Sequence, residues 1–186
     1  THTIESLLTK PIRRWELILG KWLGFAVMLA LYMSLLTGGM LTFVYLRSGL
    51  TVENIWSGLG LMILQGLLLL SLTIAGGTRL SSLANGVLAF MLYGVAFIGS
   101  WVEQIGAFLR NETAVDIGIV ASLLLPSEIL RNKALVLFPP AFANSPVHAG
   151  PFTVGSEPSN LMLWYAIGYV CVMLGVALWS FSRRDL

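Results

Sequence analysis

Only a few side chains in this sequence have the chemistry and spacing to do work, and most of the familiar combinations fail. The two histidines, His2 and His148, fall on opposite sides of the membrane in the topology derived below, so they cannot share a metal ion. No paired-histidine zinc motif on a helix and no serine nucleophile elbow occurs. Gly20-Lys21 hints at a phosphate-binding loop. However, Trp22 stands where Ser or Thr must hold the metal and Trp15 where the first glycine must turn, so no nucleotide is cradled there. A single cysteine, Cys171, rules out an internal disulfide framework; it lies in an apolar run and reads as a buried thiol acting as a small hydrophobe.

What remains is the first stretch, Thr3 to Gly24. It divides at Pro11. Before it, Ile4, Leu7 and Leu8 form one apolar face of a short helix, with Glu5, Ser6 and Thr9 facing outward. Pro11 disfavours helical geometry at Lys10 but suits the first turn of a new helix. That second helix carries Arg13, Arg14, Glu16 and Lys21 and runs straight into an apolar segment. One reading is an interfacial helix whose cations meet anionic lipid; the other is a cytoplasmic lever, a docked helix joined rigidly to a transmembrane one.

The elements that must position these residues follow from composition. The sequence is 56% hydrophobic and 11% charged, with a mean hydropathy of +0.83. A soluble domain carries about a quarter charged residues, so lipid must supply the remaining solvent. The net charge of +2 is too small for a nucleic-acid partner, and no basic stretch is interleaved with aromatics. Four stretches without Asp, Glu, Lys or Arg are long enough to cross a hydrocarbon core of roughly 30 Å: Trp22–Leu46, Asn54–Thr78, Leu80–Val102 and Pro158–Ser182. Within lipid a helix satisfies every backbone group locally. The fold class expected is therefore all-α, a polytopic transmembrane helical bundle, with spans at about 22–46, 54–78, 80–102 and 159–182 in a single domain.

Counting basic residues sets the orientation. Lys10, Arg13, Arg14, Lys21, Arg79, Arg183 and Arg184 lie on one side, against Arg47, Arg110, Arg131 and Lys133 on the other. The first side is expected to be cytoplasmic, with both ends of the chain there. The short connections make the first three spans antiparallel neighbours. The long connection, 103–157, is external. Within it Ile117–Leu125 is too short to span, and Ser127 can N-cap a second short helix, Glu128–Phe138, before Pro139-Pro140. Glu128, Arg131 and Lys133 argue against that helix sitting in hydrocarbon, so the pair is read as a re-entrant or interfacial hairpin. No charged side chain lies in a span. The deepest polar one is Gln65, which either makes an interhelical hydrogen bond or lines a substrate path. Gly20/Gly24, Gly38-Gly39 and Gly76-Gly77 read as close-packing or kink positions. No internal repeat or low-complexity tract is present.

Ile4-Glu5, Leu7-Leu8, Pro11, Arg14, Glu16 and Gly20-Lys21 together resemble the cytoplasmic signature of ABC-2 type transporter permeases, in which Gly-Thr-(hydrophobic)-Glu-x-Leu-Leu-x-x-Pro is followed by Arg-x-Glu and Gly-Lys. His2 stands where that family often has Gly. Leu125-Pro126-Ser127-Glu128 and the terminal Phe181-x-Arg-Arg-Asp185 are also similar to these permeases, so the resemblance covers most of the chain. It implies that the four spans are the last four of six, in a chain that opens on Thr1 rather than Met. It further implies a membrane subunit of a prokaryotic cytoplasmic-membrane exporter. Such a subunit works as a homodimer or heterodimer in membrane lipid and is coupled to a separate ATP-binding cassette subunit that holds the ATP and magnesium. The permease itself would be no enzyme and would bind no cofactor. Ile4, Glu5, Leu8, Pro11, Arg14, Glu16, Gly20 and Lys21 would form its coupling region, with Glu5 and Arg14 making polar contacts and Pro11 and Gly20-Lys21 fixing the angle of entry into the membrane. The competing readings are a secondary carrier or channel, and a scaffold docking a cytoplasmic partner.

Overall fold

A computed structural model of the chain describes residues 14–49, 54–137 and 159–182, and all its described elements are helices. They are α1 (Arg14–Ser48), α2 (Ile55–Gly77), α3 (Ser82–Leu109), α4 (Glu112–Leu124), α5 (Ser127–Leu137) and α6 (Asn160–Ser182). Four of them, α1, α2, α3 and α6, are long and apolar enough to cross a membrane. Several hydroxyls inside them bond back to the preceding turn, as Ser71 does to the Leu67 carbonyl and Thr42 to that of Gly38, which satisfies those donors without water. α1 is one unbroken helix of 35 residues from Arg14 through Lys21 into the apolar run. At 1.5 Å per residue it is about 52 Å long, well beyond the hydrocarbon thickness.

α2 is the hub. It packs against α1, α3, α5 and α6, whereas α1 touches only α2 and α6 among the described elements. The most apolar stretch of α2 is 39% buried and that of α1 has no buried residue. Leu61, Leu68 and Leu72 of α2 form the main core with Ala96 of α3, Leu125, Leu130 and Ala134 of the α4–α5 region, and Ala166 and Val170 of α6.

α3 continues to Leu109 instead of ending at Val102, because its last turns have a packing partner. Arg110, in the left-handed conformation with φ 53°, closes it, and Asn111 caps α4 by accepting the Ala114 N–H. This two-residue reversal lays α4 back along α3. The seam is glycine-lined: a Cβ on Gly99 would strike the Ala121 side chain, and one on Gly118 would lie 2.7 Å from the Gly99 carbonyl oxygen. α5 then leaves α4 at 105°.

Several sequence expectations change here. The charged helix α5 is shielded by protein, which its composition did not indicate. The helix packs chiefly on α2, and Glu128 is fully buried, because Arg131 binds its carboxylate at 2.6 Å. Ser127 does not cap α5; it lies in the first turn with its hydroxyl buried and without a partner among the described residues. Cys171 is exposed on α6, not buried, since that face of the helix meets no other described element. Gly20, Gly24, Gly38 and Gly39 pack against no described residue, whereas a Cβ on Gly76 would be pressed by the Asn85 side chain.

Candidate functional site

The end of the bundle that carries the start of α1 is built from four helices. Ile18 is buried against Ala75 of α2 and Ala177 of α6, which fixes the charged beginning of α1 to two neighbours by apolar contact. One turn on, the Trp22 indole N–H donates to the Ser71 hydroxyl at 3.0 Å. Ser71 is wholly buried and donates in turn to the Leu67 carbonyl, so the group is satisfied in both directions. Across the same end, the Thr78 hydroxyl and Arg79 Nε both donate to the Ser180 hydroxyl, each at 3.0 Å, and the Arg79 guanidinium lies 5.9 Å from the Trp179 ring. Asn85 donates to the Thr73 carbonyl at 2.7 Å and ties the start of α3 to α2.

The residues singled out by sequence divide accordingly. Ile4, Glu5, Leu8 and Pro11 lie outside the described residues, as does the side chain of Arg14, whose backbone opens α1. Glu16 is exposed in the first turn of α1, where a carboxylate suits the positive end of the helix. Gly20 is exposed. Lys21 is exposed at the mouth of a cavity between α1, α2, the start of α3 and Phe181. Gln65 is half-buried in mid-α2 and makes no hydrogen bond among the described residues, so neither of its readings gains a partner within this chain.

A second polar group sits at the opposite end of the bundle. Arg131, paired with Glu128, lies 5.7 Å from the Phe97 ring, while Asn132 donates to Ser100 at 3.1 Å and Lys133 to Asn160 at 2.7 Å. The Tyr165 hydroxyl donates to the Leu123 carbonyl and pins the elbow between α4 and α5 to α6.

Sequence reasoning missed Trp22, Ser71, Ser180 and Asn85, because each acts through a partner in another helix or turn and leaves no periodic trace. The Trp22–Ser71 bond makes a direct test of the joint between α1 and α2. Trp22→Phe is expected to cost about 0.5–1.5 kcal/mol, the net worth of one part-buried hydrogen bond. Ser71→Ala should cost a similar amount, and the double variant no more than either, read by thermal unfolding in detergent. Additive losses would show that the bond contributes nothing.

A family model described as ABC-2 family transporter protein matches residues 1–186. No curated protein and no solved structure matches the chain.

Proposed function

The chain belongs to the ABC-2 family of transporter proteins, and from that premise we propose that it is the permease subunit of an ATP-driven exporter, coupled to a separate ATP-binding subunit. Membership makes it a multi-pass transmembrane component of ABC transport. The finer reading places both ends of the chain on the cytoplasmic side of a prokaryotic cytoplasmic membrane, with these spans as the last four of six and two permease chains around the path. ATP and magnesium belong to the partner subunit.

The observation that carries the proposal is the joint at the start of α1. A helix that begins at Arg14, immediately after the Ile4–Pro11 segment, is held to α2 and α6 by Ile18 and to α2 by Trp22. A displacement delivered at Ile4–Thr9 by closing ATPase subunits would therefore pass to three helices at once, not to α1 alone. Alternating access needs such a rigid connection between the site that consumes ATP and the path. Glu5 and Arg14 would make the polar contacts with the ATPase subunit, and Pro11, Gly20 and Lys21 would set the entry angle.

The test is coupled hydrolysis in liposomes. Glu5→Arg with Pro11→Ala is expected to lower substrate-stimulated ATP hydrolysis about tenfold, within the usual range of coupling energies between sites. Unchanged hydrolysis with the ATPase subunit still bound would sink the coupling assignment.

A secondary carrier is the second reading, favoured by one observation, the fully buried Glu128 carboxylate of α5 inside the bundle. Transport abolished by an uncoupler and indifferent to ATP would establish it instead.

A further inference from the structure

The cavity beside Lys21 has features of its own. Its volume is about 590 Å³, and Leu17, Phe25 and Ile74 make one part of its wall apolar. Ser82 and Asn85, from the first turn of α3, make another part polar and bring the positive end of that helix to the wall. Among the described residues lining it, Lys21 is the only ionisable one, and it makes no hydrogen bond or ion pair with any described residue. Lys21 is also the last charge before the uncharged run Trp22–Leu46. Along α1 it therefore stands at the level where apolar lipid gives way to headgroups.

A cation without a partner among the described residues, hydroxyl and amide groups beside it and an apolar wall beyond it match the anatomy of a phospholipid. The absence of a carboxylate among the described lining residues selects further. A zwitterionic headgroup brings its own cation, which would find no counter-charge among the described lining residues, whereas an anionic headgroup brings none. We propose that this cavity is a binding site for a structural anionic phospholipid, its phosphate on Lys21 beside Ser82 and Asn85 and an acyl chain over Phe25 and Ile74. The lipid fills the gap between α1 and the α2–α3 turn, where no described side chain bridges the two. This site goes beyond the coupling proposal, which supplies only the leaflet, the cytoplasmic one.

The experiment is native mass spectrometry of the permease with its ATPase subunit, released from nanodiscs of equal phosphatidylglycerol and phosphatidylcholine. The wild type is expected to retain phosphatidylglycerol preferentially. Lys21→Met, which keeps the aliphatic stem, should weaken that retention roughly fivefold, the effect of one basic residue at an anionic surface. Lys21→Arg should preserve it. Equal retention of the two lipids, or retention in Lys21→Met equal to that of the wild type, would overturn the proposal. So would loss of the bound lipid on ATP turnover, which would mark it as exported cargo. Because the comparison of wild type with the Lys21 variants is made without nucleotide, it stands or falls separately from the hydrolysis test of coupling.

Discussion

Arg131→Met is expected to destabilise the bundle by about 3–5 kcal/mol, since it strands the Glu128 carboxylate in a place water does not reach. Glu128 has no exposed surface, and its carboxylate keeps one oxygen on Arg131 while the other has no partner among the described residues. The pair itself need not be a net gain. Taking the Glu128 carboxylate out of water costs several kcal/mol, the 30% exposed Arg131 loses only part of its water, and the attraction between them roughly repays that cost. The decisive comparison is therefore the double variant Glu128→Leu with Arg131→Met, which should recover most of the loss because neither charge is left alone. Unfolding in mixed micelles, followed by helicity, reads both. A double variant as unstable as the single would mean that the site depends on the ions for packing and not for mutual neutralisation. Arg131 also lies against the Phe97 ring, so Arg131→Lys should be intermediate, keeping the charge while losing the planar contact.

The second large effect is expected at Gly118. A Cβ there would meet the Glu103 side chain, and it would lie 2.7 Å from the Gly99 carbonyl oxygen and 2.8 Å from the Glu103 Cα. The last two are backbone atoms, so no rotamer change relieves them and the two helices must separate. Gly118→Val should cost about 1–3 kcal/mol or more through overpacking. It should also loosen the elbow that Tyr165 holds to α6. Gly168 is the control, because a Cβ added there meets nothing within 4 Å. If Gly118→Val and Gly168→Val had equal effects on thermal unfolding, the close approach of α3 and α4 would be refuted.

The spans were legible because hydropathy over twenty residues is a one-dimensional property: Asn54–Thr78 and Pro158–Ser182 coincide with α2 and α6 to within two residues. α5 was not legible in the same way. Its Glu128, Arg131 and Lys133 argue against a place in hydrocarbon but do not tell that Glu128 is buried in protein, where Arg131 pairs with it while Lys133 reaches Asn160. Pairing is a three-dimensional property. The same holds for the end of α3, where Glu103 and Gln104 suggest a boundary that the glycine seam with α4 removes. At the candidate site, sequence pointed to Glu16, Gly20 and Lys21 by motif, and α1 does carry them into the span without a break. Ile18 and Trp22, which attach that helix to its neighbours, stand among other apolar residues with nothing to single them out. Cys171 shows the converse error, because an apolar run in a membrane helix does not say which face meets lipid.

The fastening of the α2–α3 turn has a consequence for how the chain is made. Thr78 and Arg79 both reach Ser180, and Thr78 and Ser180 are 102 residues apart. At ~5–20 residues per second of synthesis, α6 follows the turn by roughly 5–20 s. During that interval α2 and α3 have left the ribosome as a pair, yet the face of α2 that α6 will cover has only lipid or a passing chaperone against it. The guanidinium that ends on a serine and a tryptophan of the last helix must meanwhile be satisfied by water and headgroups. Synthesis of α6 is thus the event that covers this face of α2. A chain arrested before it would present to membrane proteases a helix surface that the finished protein never shows.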